Sequence, residues 1–343
     1  MNLLKQSFDI ENKRVGGDSG VLIIAEAGVS HFGDMDLAMQ LVDLAADAGA
    51  DVFKTQIFDV DELIAKRAND WKDRLRPRNL TLAQAHEIKK RCEERGIIFL
   101  TTAHDDSRIP WLDDLNVSAI KVGSGECCNP DFLQRLAELD KPMIVSTGMH
   151  YETDVLASVD ACVKGGCEEI ALLHCVSSYP TPSDEVNLKA IDRLNKIFPG
   201  PVGYSDHTAD NLAVLAAVAR GAKIIEKHIT ILRDVPNAQD WKVSAGPENM
   251  ADLVNDIRKI EKMLGHGIKE PAPCEKDARI WALKSLVATH DLPANHIIKD
   301  KDLVAKRPGD GILANQHKFL IGRKLRRAVA LDEPVNIEDL IDV

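Results

Sequence analysis

The strongest constraint in this chain is a repeat of form rather than of letters. Eight short apolar runs, most of them ending in polar or charged residues, alternate with segments of helical period. The runs are VLIIAE (21–26), DVFKTQ (51–56), GIIFLTT (96–102), SAIKVGS (118–124), PMIVST (142–147), EIALLHC (169–175), PVGYSD (201–206) and AKIIEKH (222–228). Runs of this length, rich in Val and Ile, mark strands covered on both faces, and such strands are joined by crossover helices. Between them, DLAMQLVDLAADAGA, TLAQAHEIKKRCEERG, NLAVLAAVARG and ENMADLVNDIRKIEKML space apolar residues three and four apart, and Gly often closes the segment. Eight strand–helix units over about 250 residues predict an α/β fold, a (β/α)8 TIM barrel. An open doubly wound sheet competes, but the count of eight and the polar strand ends favour closure. The leading SFDIENKRVGG predicts a short hairpin that plugs the bottom of the barrel.

After GHGIKEPAPCEKDARI the texture changes to short strand-like pieces, SLVATHDL, HIIKDKDLVAKRPGDGI and RKLRRAVALDEPVNIEDL. The expected division is a barrel with its hairpin over 1–270, a linker over 271–279 and a small β-rich domain over 280–343. The formal charge of −11 over 343 residues argues against non-specific nucleic-acid binding, which needs a basic face, but not against an anionic substrate held by a few focused lysines. No stretch reaches the roughly 20 apolar residues a membrane helix requires. The opening MNLLKQSFDIENKRVGG breaks into charge too early for a secretory signal. Seven cysteines without a CxxC pair read as reduced thiols, so a cytoplasmic protein is expected.

In a (β/α)8 barrel the chemistry sits at the C-terminal ends of the strands. Those ends carry Glu26, Lys54, Gln56, Thr102, Lys121, Ser124, Glu126, Ser146, Thr147, Ser177, Tyr179, Ser205, Asp206, His207, Glu226 and His228. Polar groups are costly in apolar runs unless paired or used, so a whole ring of them predicts an active site. Lys54 and Lys121 can converge on one anion, with Thr102, Ser124, Ser146 and the Gly123-Ser124-Gly125 turn completing a cradle. The bland alternative for the lysines is a rim position with the charge in water. His207 and His228 end neighbouring strands and form half of a divalent metal site, with Asp206 and Glu226 expected to orient them. His174 is expected as buried structure, and Cys127 and Cys128 as packing residues.

With the ring in view, the chain resembles the sialic acid synthase family, the nonulosonic acid synthases. The resemblance runs through IIAEAGVSHFGDMDLA, AGADVFKTQIF, FLTTAHD, IKVGSGE, VSTGM, LLHCVSSYPTP, GYSDHT and EKHIT in order. KRPGDGI resembles the family's C-terminal SAF domain, a β-clip, antifreeze-like fold. The resemblance implies a transferase that condenses phosphoenolpyruvate with an N-acylated amino-sugar aldehyde, giving a nine-carbon 2-keto acid and phosphate. C3 of phosphoenolpyruvate attacks the aldehyde, water captures the cation at C2, and phosphate leaves by C–O cleavage. Lys54, Gln56, Thr102, Lys121, Ser124, Ser146 and Ser205 would hold phosphoenolpyruvate. His207 and His228 would hold Mn2+, with Mg2+ or Co2+ as alternatives. Glu26 and Glu126 would move protons and position sugar or water, while Ser177, Tyr179 and Asp240 would face the sugar. A domain-swapped homodimer would bring Arg307 to the sugar; without the resemblance Arg307 reads as a turn-flanking surface charge.

The chain departs from the neuraminate-forming pattern at Ser30, Phe32, Ser177 and Trp241, which stand where Asn, Asn, Asn and His are usual. The acceptor is therefore either N-acetylmannosamine or a 2,4-diacetamido-trideoxyhexose, the latter leading to legionaminic or pseudaminic acid and offering apolar surface to Trp241. A synthase for a phosphorylated sugar would want a second anion site, and the ring supplies few extra cations. An inactive scaffold would not need both lysines, both histidines and both glutamates.

Overall fold

A computed structural model of the chain describes residues 4–236 and 238–341. It divides into two compact units at Gly265 and His266. The first opens with an antiparallel hairpin, β1 (Ser7–Ile10) and β2 (Lys13–Gly16). Eight parallel strands follow: β3 (Leu22–Gly28), β4 (Val52–Ile57), β5 (Ile98–Ala103), β6 (Ile120–Val122), β7 (Met143–Ser146), β8 (Ile170–Cys175), β9 (Val202–Asp206) and β10 (Ile224–His228). Their ladder order, β5-β4-β3-β10-β9-β8-β7-β6, pairs the first strand with the last, and β5 and β6 lie side by side at the seam. An open doubly wound sheet does not pair its first and last strands in this way; the sheet is a barrel.

Local chemistry sets the helices between the strands. Helix Leu82–Arg95 starts at a capping box, Thr81 Oγ1 accepting from the Gln84 N–H while the Thr81 N–H donates to Gln84 Oε1. It stops at Gly96, whose φ of 67° is left-handed. Outward strand residues such as Ile23, Phe53, Val145, Leu172 and Ile225 pack in one cluster with apolar helix residues such as Leu41, Ile88 and Leu253. Inward residues form a separate cluster: Leu22, Ile24, Val52, Ile98, Leu100, Ala119, Ile144, Ala171, Leu173 and Ile224, with Phe8, Ile10 and Val15 from the hairpin. The hairpin thus fills the end of the barrel from which the strands start, as the leading segment predicts.

The second unit has its own core, built on Leu286, Leu292, Leu303, Leu320, Leu325, Val329 and Leu340. Two short antiparallel pairs carry it, β11 (Ser285–Ala288) with β12 (Leu303–Lys306) and β13 (Lys324–Leu325) with β14 (Leu340–Ile341). Residues 271–279 hold a 3-10 turn, Pro273–Glu275, and the start of helix Lys276–Ala282. Among the described residues no helix is long and apolar enough to cross a membrane.

Barrel closure leaves no room at Gly203. A Cβ there would stand 2.4 Å from the Ile224 carbonyl oxygen and 2.6 Å from Leu173 Cδ2. Gly203→Ala should therefore cost about 1–3 kcal/mol, seen as a lower urea midpoint at unchanged m-value; an unchanged midpoint would refute the close approach.

Candidate active site

The inward face keeps its period of two beyond the apolar layer. Two residues above Ile24, Val52, Leu100, Ala119, Ile144, Leu173 and Ile224 stand Glu26, Lys54, Thr102, Lys121, Ser146, Cys175 and Glu226, and every one is polar or ionisable. Ser205 stands two above Gly203. One step higher are Gln56, His104, Ser177, His207 and His228. Together with Ser124, Glu126, Tyr179 and Asp240 they line one cleft of about 780 Å³. Arg307 belongs to the second unit, where it is exposed and its Nε donates to the Ala282 carbonyl.

Strand register explains the pairings. Lys54 lies beside Glu26 and Ser205 beside Glu226. Lys54 Nζ is 2.6 Å from Glu26 Oε2 and 3.8 Å from Glu226 Oε2, and donates to Thr102 Oγ1 at 3.4 Å. Lys121 Nζ donates to Ser146 Oγ at 2.7 Å and to the Val122 carbonyl at 3.0 Å, and lies 3.6 Å from Glu226 Oε1. Ser205 Oγ donates to Glu226 Oε1, and Gln56 Nε2 to Glu26 Oε1. Both lysines are buried, so neither is a snorkelling rim residue.

Burial acts on Lys54 to lower its pKa, but Glu226 and Glu26 outweigh it and leave the ammonium held more firmly than usual. Lys121 goes the other way, because burial outweighs the attraction of Glu226 and Lys54 repels it. Burial also disfavours the Glu226 carboxylate, yet Lys121, Lys54 and His228 hold the carboxyl well below its ordinary range. Two ammonium groups are thus matched by two carboxylates on the cleft floor.

Glu226 is therefore not the orienter of histidine that the sequence suggests; it sits between the lysines. Asp206 does not orient the histidines either. Its side chain points out of the barrel, where it pairs with Lys227 at 2.5 Å and accepts from Tyr204 Oη at 2.8 Å. The cause is parity, since residues adjacent on a strand face opposite sides.

His207 is oriented by backbone instead. Its Nδ1 lies 2.7 Å from the Val176 carbonyl, which can only accept, so Nδ1 carries the hydrogen and Nε2 is left with a lone pair facing Tyr179 Oη at 2.9 Å. The His207 and His228 rings are 5.2 Å apart, and His228 Nδ1 is buried without a hydrogen-bond partner. A histidine whose second nitrogen donates to a carbonyl is the usual arrangement of a metal ligand. Among the described residues no His, Cys, Asp or Glu completes a three-ligand group with this pair, so water or ligand oxygens would fill the remaining positions.

On the opposite wall, His104 Nδ1 pairs with Glu126 Oε1 at 2.8 Å, while His104 Nε2 and Glu126 Oε2 are buried without partners. The sequence reading omitted His104, although strand parity reaches it two residues beyond Thr102. Ser124 Oγ accepts from the Gly148 N–H, and any side chain at Gly148 would collide with Ser177 Oγ and Ser124 Oγ. Trp241 is not among the lining residues: the 3-10 turn Asp240–Lys242 turns Asp240 into the cleft, and Lys242 Nζ lies 5.8 Å from the Trp241 ring centroid. The apolar lining comes from Phe58, Leu63, Trp71, Leu75 and Met149, with Arg74 and Arg78 beside them. His174 is buried structure, bonded to the Val186 carbonyl; Cys127 is buried and Cys128 is exposed.

Comparison with known proteins follows the same division. The NeuB family model matches residues 41–269 and the SAF domain model residues 284–341. N,N'-diacetyllegionaminic acid synthase of Campylobacter jejuni is 37% identical, covering 91% of this chain and 98% of its own. Human N-acetylneuraminate-9-phosphate synthase is 32% identical over 96% of this chain and 94% of its own. The crystal structure of a sialic acid synthetase from Leptospira borgpetersenii, in complex with citrate, superposes with a TM-score of 0.75 at 34% identity, over 80% of this chain and 95% of that one.

The shared carboxylate can be tested directly. Glu226→Gln leaves two buried ammonium groups with one carboxylate and should destabilise the fold by about 3–5 kcal/mol. Inorganic phosphate should then raise the melting temperature of the variant more than that of the wild type. Equal stability with an equal phosphate response would show that Glu226 does not neutralise the lysines.

Proposed function

The chain belongs to the NeuB family, and from that we propose that it is a nonulosonic acid synthase, condensing phosphoenolpyruvate with an N-acylated amino-sugar aldehyde. The observation that carries this reading is one cleft in which Lys54 and Lys121 face the floor carboxylates while His207 and His228 stand at the adjoining strand ends. Phosphoenolpyruvate brings a phosphate and a carboxylate. Lys54, Lys121, Thr102, Ser124, Ser146 and Ser205 offer cations and hydroxyls to them, with Gln56 beside Glu26.

The floor charges already cancel, so the incoming anion needs further positive charge. His207 and His228 are suited to hold a divalent cation that would supply it, Mn2+ in our reading, with Mg2+ or Co2+ as alternatives. When bound it would also polarise the aldehyde oxygen. The residues around that step have separable tasks. Tyr179 Oη and Asp240 stand beside the histidines on the sugar side with Ser177. Glu26, fixed by Lys54 and Gln56, positions the acceptor. Glu126, coupled to His104, is the proton carrier in this scheme, with one buried oxygen left to take or give the proton.

The apolar wall of Phe58, Trp71 and Leu75 favours a deoxygenated 2,4-diacetamido acceptor over N-acetylmannosamine. Arg74 and Arg78 support a second reading, a phosphorylated acceptor. Phosphoenolpyruvate supplies the first carbons of the product, so the acceptor's terminal phosphate becomes the product's terminal phosphate. The homodimer with swapped domains and the Arg307 contact remain part of the proposal on the strength of the resemblance. All seven cysteines are free, which supports a reducing, cytoplasmic location.

Phosphate release from phosphoenolpyruvate with Mn2+ should depend on one of three sugars: N-acetylmannosamine, its 6-phosphate or a 2,4-diacetamido-trideoxyhexose, and a chelator should abolish it. Release with none of them from folded, Mn2+-loaded protein would refute the synthase reading. His104→Phe and Glu126→Gln should each lower kcat about 100-fold with little change in KM, and the double variant should lose no more than either. Losses that multiply would separate the two residues.

A further inference from the structure

We propose that Cys128, His150 and Asp154 form a second metal site, for a borderline cation such as Zn2+, just outside the cleft. One ligand atom from each lies within 4.8 Å of the others. Cys128 follows the Ser124–Glu126 turn, while His150 and Asp154 flank the start of helix Glu152–Lys164 one turn apart. None of the three lines the cleft.

The hydrogen bonds of His150 fix its chemistry. Its Nε2 is 2.8 Å from the Ser124 carbonyl oxygen, which can only accept, so Nε2 carries the hydrogen. Nδ1 is then an unprotonated lone pair, and it faces Cys128 Sγ at 3.0 Å. A ring nitrogen that donates to a backbone carbonyl, leaving the other with its lone pair free to bind, is the arrangement metal-bound histidines adopt. Thiolate, imidazole and carboxylate make a zinc donor set, and a water completes the tetrahedron. Ligand atoms around zinc stand about 3.5 Å apart, as follows from Zn–S and Zn–N lengths of about 2.3 and 2.0 Å. The Sγ–Nδ1 separation of 3.0 Å and the 4.8 Å limit on the remaining ligand-atom distances bracket that spacing. On binding, the Cys128 thiol proton passes to solvent and the sulfur bonds the metal; nothing is oxidised or reduced.

The site has a mechanical consequence. His150 holds the Ser124 carbonyl, and Ser124 Oγ holds the Gly148 N–H, so a cation on His150 braces the turn that carries Ser124 and Glu126. That consequence rests on the phosphoenolpyruvate reading; the metal site does not.

Metal-stripped full-length protein titrated with Co2+ should show a thiolate-to-cobalt charge-transfer band. Cys128→Ser should lose the band and bind one cobalt fewer per chain, His150→Gln should do the same, and Cys175→Ser should keep the band. A wild type without the band, or a Cys128→Ser variant that retains it, would overturn the site; circular dichroism confirms that each variant is folded. In Mn2+-loaded enzyme, Zn2+ should shift the KM for phosphoenolpyruvate at least twofold in wild type and not in Cys128→Ser. A cobalt band without that shift would overturn the bracing and leave the metal site standing.

Discussion

Two ammonium groups, those of Lys54 and Lys121, project into the closed interior of the barrel, where burial alone would favour their neutral forms. The carboxylate of Glu226 lies 3.6 Å from Lys121 and 3.8 Å from Lys54, and Glu26 pairs with Lys54 at 2.6 Å. The polar half of the barrel depends on this balance. Remove a carboxylate and an uncompensated cation is left in low dielectric; remove a lysine and the same holds with the sign reversed. A neutral floor also sets the terms for any anionic ligand, which must bring or meet a compensating charge. The histidine pair on the adjoining strands is where such a charge can be held.

The placement of these groups follows from one geometric rule. Side chains alternate across each strand, so the first inward positions are Leu, Ile, Val and Ala, with Gly203 on β9, and the next are ionisable or hydroxylic. The hairpin seals the apolar end with Phe8, Ile10 and Val15, leaving only the polar end open. Outward neighbours escape the cleft by the same rule. Lys227 and Asp206, adjacent in sequence to Glu226 and His207, satisfy each other behind the barrel wall.

Much of this was legible in the sequence. Eight runs with polar ends specify eight buried strands, because nothing else buries both faces of so many short segments. Lys54, Lys121, His207 and His228 could be singled out because a strand end in a barrel is a predictable location. His104 falls just past the end of its strand, where the apolar run has stopped and only strand parity marks it as inward. Glu226 stands two residues before His228 in sequence, which suggests a partner for histidine, whereas in space it lies between lysines from β4 and β6.

The sequence by itself determined the alternation, hence eight buried strands with helices between them, a leading hairpin and polar strand ends: these depend on hydrophobic periods that are local, while closure into a barrel shows only in the pairing of β3 with β10. Tertiary structure alone decided which charges meet. Glu226 with Lys54 and Lys121, His104 with Glu126, and Cys128 with His150 join residues from different strands and loops, at distances fixed by closure and register. A carboxylate carries no mark in the sequence of the cation it will face, because that partner is set by the geometry of the closed sheet.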